Sequence, residues 1–191
     1  MHDVVKGRFD GRVALITGAG SGIGRASTIR LAAEAGGHHA VEVTEETYRR
    51  MVAINQDAPF FFCQAAIPHL LATDGNIVNM ASNAGLMGMA YQVVYTMTKG
   101  AVVQLTRSLA MEYAKSNLRV NAIAPGGIIT NLTHNFTMPA DIDFELMAPY
   151  IGHRGQGEPD DIADLVALIA APGSTNIHGA IFASDRGLTA G

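Results

Sequence analysis

Charge is scarce in this chain of 191 residues: 16% are Asp, Glu, Lys or Arg, against about 25% in an average soluble domain. Thirteen basic and 17 acidic residues leave a net charge of −4. No basic surplus exists to neutralise a phosphate backbone, so nucleic acid is not an expected partner. Cysteine is nearly absent. Cys63 cannot form an internal disulfide, which points to a reducing, cytoplasmic setting. The uncharged stretch 75–98 is broken by Asn76, Asn79, Ser82, Asn83 and Gln92, so it does not read as a lipid-facing span. The first twelve residues are polar and charged, with no signal-peptide core. A soluble protein is expected. What is abundant is hydrophobic side chain, at 48%, and glycine, at 21 residues. The former excludes intrinsic disorder and predicts that some surface is buried between subunits.

The pattern along the chain alternates strand and helix. Arg12–Ile16 is a short apolar run ending in Thr17-Gly18, as a buried parallel strand would. Ile23 to Ala35 has helical spacing, so strand, glycine turn and helix open a βαβ unit. Thr44 is a candidate cap for a helix running to Asn55, and a second helix is expected over Phe60–Leu71. The second is apolar nearly all round, which predicts burial on every side by core or by a partner chain, with Pro68 as a kink. Asn76–Ala81 reads as a strand. Tyr95–Lys115 reads as a long helix whose polar stripe is Gln104, Arg107, Ser108, Glu112 and Lys115. Leu118–Ile123 is a strand stopping at Pro125-Gly126, residues 130–150 are irregular, Asp160–Ala171 is a helix, and Ile177–Ala183 a last strand. No repeat or interdomain linker is visible. The alternation predicts an α/β, doubly wound parallel sheet of Rossmann type, one dinucleotide-binding and catalytic domain over residues 1–191.

Two motifs carry chemistry. Thr17-Gly18-Ala19-Gly20-Ser21-Gly22-Ile23-Gly24 lies between a strand and a helix, where glycines let backbone N–H groups approach a pyrophosphate at the helix's positive end. A tight turn needing positive φ would look similar. In Tyr95-Thr96-Met97-Thr98-Lys99 the i, i+4 spacing puts phenol and ammonium on one helix face. A nearby cation favours phenolate and makes tyrosine usable as an acid–base, although such a pair also occurs on plain solvated helix faces. Ser82 precedes Tyr95 by 13 positions at the end of a strand, where its hydroxyl could bind a carbonyl oxygen.

Together Thr17 to Gly24, Asn55, Ser82, Tyr95, Lys99 and Pro125-Gly126-Gly127-Ile128-Ile129-Thr130 resemble the compact branch of the short-chain dehydrogenase/reductase family, in the family's order, over about Phe9 to Gly191. The resemblance implies a nicotinamide-dependent oxidoreductase interconverting a secondary alcohol and a ketone. It implies Tyr95 as general acid/base, Lys99 as holder of the nicotinamide ribose, Ser82 as the group orienting the substrate oxygen, and Asn55 as holder of a water in a relay with Lys99. It further implies that Thr17, Gly18, Ser21, Gly22, Ile23 and Gly24 line the pyrophosphate and adenosine ribose. Pro125, Gly126, Ile128 and Thr130 would cradle the nicotinamide. Ser21 stands where NADP-preferring relatives often carry a basic residue, so NAD is favoured over NADP. A homotetramer is the assembly the resemblance implies.

The chain departs from that pattern between Thr17 and Asn55, which are only 38 positions apart. About 50–60 residues, two strands with their helices and a third strand, are missing near Gly36-Gly37-His38. Such an interval is either a true deletion or a stretch that the full polypeptide carries beyond this sequence. In strand order 3-2-1-4-5-6 the loss should leave the glycine-loop strand and the Ser82 strand apart, with two open sheet edges. A second reading follows from it: a non-catalytic binding or assembly protein that has lost its adenosine-side pocket. Glu42 lies where a ribose-binding acid is often found, but the family register places it after the gap. His38, His39 and Glu42 lack a further ligand, so no metal is expected. Asp141 and Asp143 read as a loop turn and Cys63 as packing, and the 130–150 segment as either a substrate lid or a surface loop. Met87, Met89, Met97 and Met111 read as core or pocket lining. The tail Asp185-Arg186-Gly187 has an arginine where the family usually has the first of two glycines.

Overall fold

The computed structural model describes residues 14–17, 37–130 and 138–190. Four parallel strands form one sheet in sequence order: β1 (Ala14–Thr17), β2 (Asn76–Met80), β3 (Arg119–Pro125) and β4 (Ile181–Ser184). Between them lie α1 (Glu45–Val52), α2 (Ala58–Leu71), α3 (Val93–Glu112), α4 (Phe144–Met147) and α5 (Pro159–Ala170). The glycine loop Gly18–Gly24 and the helix expected over Ile23–Ala35 lie outside the described residues.

The central strands β2 and β3 are buried on both faces, as strands of parallel sheets are. Adjacent residues of β2 point to opposite sides. Ile77 packs with Cys63, Ile67, Leu70, Leu118 and Val120 under α2 and α3, whereas Val78 packs with Ile123, Ile169 and Ala170 under α5. On α3 the buried positions Val94, Thr98, Val102, Thr106 and Ala110 recur every fourth residue, which is the stripe that meets the sheet. Gln104, Arg107, Ser108 and Glu112 face outward, as their spacing predicts. Two buried asparagines pair their amides across the core: Asn79 donates to the Thr106 hydroxyl at 3.0 Å, and Asn121 donates to the Ile177 carbonyl at 2.9 Å.

Two features correct the sequence reading. First, β1 pairs directly with β2, with Thr17 opposite Asn79, so the glycine-loop strand and the Ser82 strand are neighbours. The open edge of β2 would leave a row of N–H and C=O groups unpaired. A parallel partner needs only a crossover of a dozen or more residues, which 18–75 supplies. Second, the helices expected to end at Asn55 and begin at Phe60 are one continuous rod, α1 running into α2 through a π-helical turn, Ala53–Asp57. Thr44 caps this rod by accepting the Thr47 N–H at 3.1 Å. The proline ring at 59 crowds the carbonyl of Asn55, four residues back, and a π turn directly upstream widens the helix there.

Smaller differences follow from tertiary contacts. β4 begins at Ile181 rather than Ile177, because Gly179 adopts φ +74° and its N–H bonds to the Val120 carbonyl before the strand starts. Burial of α2 is one-sided: Cys63, Ile67 and Leu70 are in the core, but Phe61 and Phe62 are 59% and 60% exposed. Met111 is 77% exposed and Met97 is 44% exposed, so neither is core, while Met87 and Met89 are half-buried.

Candidate active site

In open α/β sheets, ligands bind beyond the carboxyl ends of the strands. Thr17, Ser82 and the Pro125–Thr130 loop all leave the sheet at that end, side by side, through β1, β2 and β3. The direct pairing of β1 with β2 brings the root of the glycine loop beside the strand that presents Ser82.

Ser82 is buried and extended, at the start of a single helical turn, Asn83–Gly85. Its hydroxyl accepts the Ala84 N–H at 3.2 Å and donates to the Asn83 side-chain oxygen at 3.2 Å. That turn lies hard against α3. A Cβ on Gly85 would sit 2.6 Å from the Lys99 carbonyl oxygen and 2.7 Å from its carbon. Only glycine permits this approach, and through it the Ser82 turn is locked to the helical turn that bears Tyr95 and Lys99.

Tyr95 and Lys99 share one face of α3, with the Lys99 ammonium 5.7 Å from the centre of the Tyr95 ring. The ammonium is further aimed by a 3.2 Å hydrogen bond to the Met80 carbonyl at the end of β2. Asn55 sits in the π turn, which packs on α3. The structure therefore brings Asn55 to the helix of Tyr95, but the Lys99 ammonium bonds to Met80 rather than to Asn55.

The Pro125–Thr130 loop is braced from two sides. Pro125 pairs with Ser184, and a Cβ on Gly126 would collide with Asp185 at 2.8 Å. Ile128 bridges to Gly157: the Gly157 N–H donates to the Gly127 carbonyl at 2.8 Å and the Ile129 N–H donates to the Gly157 carbonyl at 2.9 Å. Asp185 in turn accepts from Gly187, the Thr189 N–H and the Thr189 hydroxyl, the last at 2.6 Å. Gly85 and Gly157 escape a sequence reading because their work is to let neighbouring chain approach, and only a partner distant in sequence makes that visible. Beyond this loop a cavity of about 420 Å³ is lined by Arg154, Asp161, Asp185 and Arg186. The Glu158 N–H, and then Arg186 at 3.5 Å, hold the Asp161 carboxyl below its ordinary pKa. Arg186 takes a left-handed backbone, φ +57°, at the position the family usually fills with glycine.

Other candidates are engaged elsewhere. His39 pairs with Asp141 at 3.0 Å, and Glu42 is exposed in the short turn Ala40–Glu42. Asp143 caps α4 by accepting the Glu145 N–H at 2.9 Å. Cys63 is buried and bonded to Asn79, and desolvation pushes its thiol up to about 11, so it is packing. Among the described residues no group of three or more His, Cys, Asp and Glu could hold a metal, and no helix is long and apolar enough to cross a membrane.

A parallel sheet covered by helices on both faces, with its candidate residues gathered at the strands' carboxyl ends, defines a Rossmann-like α/β protein. The family model described as enoyl-(acyl carrier protein) reductase matches residues 28–189. The chain belongs to the short-chain dehydrogenase/reductase family. It is 36% identical to 2-(R)-hydroxypropyl-CoM dehydrogenase of Xanthobacter autotrophicus over 158 residues, 82% of this chain and 62% of the relative. It is 29% identical to meso-2,3-butanediol dehydrogenase of Serratia marcescens, covering 96% of each. That alignment spans 245 positions, so the relative carries internal sequence with no counterpart here. The chain spans 62–66% of the length of the first two curated relatives it matches. Among solved structures, 4-hydroxyisoleucine dehydrogenase complexed with NADH and succinate superimposes with a TM-score of 0.73 at 27% identity, over 93% of this chain and 68% of that one. ElxO with NADP bound superimposes with a TM-score of 0.70 at 26% identity, over 82% of this chain and 63% of that one.

Proposed function

We propose that the protein is an oxidoreductase that moves a hydride between a nicotinamide cofactor and a secondary alcohol or its ketone. The observation that carries this reading is the close contact of Gly85 with Lys99, which fastens the Ser82 turn to the helix face bearing Tyr95 and Lys99. The described side of the crevice fits a nicotinamide: Gly126 and Gly127 keep the loop free of side chains, and the bridge to Gly157 holds the loop rigid. Pro125, Gly126, Ile128 and Thr130 would hold the nicotinamide, and Lys99 its ribose. Thr17, Gly18, Ser21, Gly22, Ile23 and Gly24 would hold the pyrophosphate and adenosine ribose. Bound there, the cofactor supplies the hydride donor or acceptor.

The chain supplies the proton and the geometry. Ser82 orients the substrate oxygen, and its hydroxyl is already held in a turn, so little ordering is left to be done on binding. Tyr95 gives its hydroxyl proton to that oxygen, or takes one from it in the reverse direction. Lys99, aimed by its bond to the Met80 carbonyl, stands beside Tyr95 on the same helix face. Asn55 holds a water through which the proton is exchanged. NAD is the favoured cofactor and NADP the alternative; the setting is cytoplasmic.

Titrating NADH and NADPH into the full chain, with nicotinamide fluorescence as the readout, tests this reading. A saturable change at micromolar concentration is expected, larger in affinity for NADH. No change with either nucleotide would sink the reading and leave the second one, a non-catalytic assembly protein, which the shortened Thr17–Asn55 interval favours.

The chain also forms a homo-oligomer, a tetramer in this proposal. Phe60, Phe61, Phe62 and Leu71 of α2, with Val93, Met97 and Met111 of α3, are all more than 40% exposed. So much exposed apolar surface on two helices supports a subunit interface there. Sedimentation at micromolar concentration should give a species larger than the 20.1 kDa chain; a monomer alone would refute it.

A further inference from the structure

Two stretches of chain distant in sequence converge on Tyr91, near the proposed reacting groups. We propose that Tyr91 is a positioning residue that latches residues 138–150 across the crevice and so sets the substrate-facing wall beside Tyr95. What the wall encloses rests on the hydride-transfer reading; the latch itself does not.

The connectivity makes residues 138–150 a bridge. They follow the Pro125–Thr130 loop on one side of the crevice, and their contacts are with the Ser82–Tyr95 connection on the other. The Asp143 N–H donates to the Tyr91 hydroxyl at 2.8 Å, and the Ala90 N–H donates to the Tyr150 hydroxyl at 2.9 Å. The 37–39 stretch closes the same junction. The His38 N–H donates to the Tyr91 carbonyl at 2.7 Å, and His39 meets the Tyr91 ring edge-on, centroids 5.1 Å apart. His39 then reaches Asp141 at 3.0 Å, and a side chain on Gly37 would collide with Met138. The Tyr91 hydroxyl, carbonyl and ring each serve a different partner.

Its backbone shows that this placement is imposed. Tyr91 has φ +62°, a left-handed conformation that a bulky residue keeps only where its surroundings determine it several times over. Gln92 then stands at the N-cap position of α3 and Tyr95 follows within the first turn, so the latch is one helical turn from the proposed acid–base. The Asp141 carboxyl is held below its ordinary pKa, chiefly by its hydrogen bond with His39. Asp143 closes the arrangement by using its carboxylate to start α4.

The full chain carrying Tyr91→Phe keeps the ring and loses only the hydroxyl. Hydrogen exchange over 139–150 should accelerate about tenfold, with β2 and α3 unchanged. In turnover, KM for the alcohol should rise about fivefold while kcat and NADH affinity stay within twofold, the signature of altered binding rather than chemistry. Asp141→Ala, a change on the exposed side of the latch, should accelerate exchange over the same residues. Unchanged exchange in both variants overturns the latch. So does a fall in kcat at constant KM that matches Tyr95→Phe, because Tyr91 would then be a reacting group. If the unaltered chain binds no nucleotide, the hydride-transfer reading fails, and the exchange measurements still decide the latch.

Discussion

Tyr95→Phe is expected to lower kcat by about 10²–10⁴-fold, the range that a positioned acid–base contributes, with NADH affinity unchanged. The substitution removes one oxygen and leaves the ring, so the Lys99 ammonium keeps its place 5.7 Å from the ring centre and its bond to the Met80 carbonyl. The separation of effects is the informative part. Loss of turnover with intact nucleotide binding assigns the proton to Tyr95. Loss of both would mean the helix start has been disturbed, and retained turnover would remove Tyr95 from the chemistry. Steady-state kinetics beside a fluorescence titration of the same preparation distinguishes the three.

Gly85→Ala is expected to destabilise the protein by about 1–3 kcal/mol, the usual cost of overpacking a tight site. The added methyl meets the Lys99 carbonyl, which belongs to a helix backbone and cannot swing aside. The turn carrying Ser82 must then move away from α3. For a chain of this size the midpoint of thermal unfolding should fall by about 2–4 °C per kcal/mol. Activity should fall further than the stability loss explains, because Ser82 would no longer be held against the face of Tyr95. Gly88→Ala is the matched control: it lies in the same connection, and a Cβ there meets nothing within 4 Å. If the two variants melt together, the Gly85 contact does not hold the site.

Local chemistry made much of this molecule legible from its sequence. Thr44 is a cap because a threonine oxygen can accept the Thr47 N–H, which neighbouring positions settle alone. Ile77 and Val78 announce a strand, and the spacing of Gln104, Arg107, Ser108 and Glu112 announces the outward face of α3. The pairing of Tyr95 with Lys99 on one face follows from helical pitch, and β3 has Pro125 as its last residue, where a missing N–H weakens the ladder. These are short-range facts, set by periodicity and by the shapes of single residues.

Long-range choices were decided by the tertiary structure. Sequence reasoning kept β1 apart from the Ser82 strand because it held the missing strands' place open. In the folded chain the unpaired edge of β2 takes the nearest parallel strand. A break was expected between Asn55 and Phe60, where the chain instead widens into a π turn that absorbs Pro59 and keeps the rod continuous. Gly85, Gly126 and Gly157 look like ordinary turn residues until Lys99, Asp185 and Ile128 are seen pressed against them. Tyr91 carries no motif at all, since its importance lies in partners at 38, 39 and 143. Spacing along the chain fixes which face a residue occupies, and only the packed structure fixes what lies opposite.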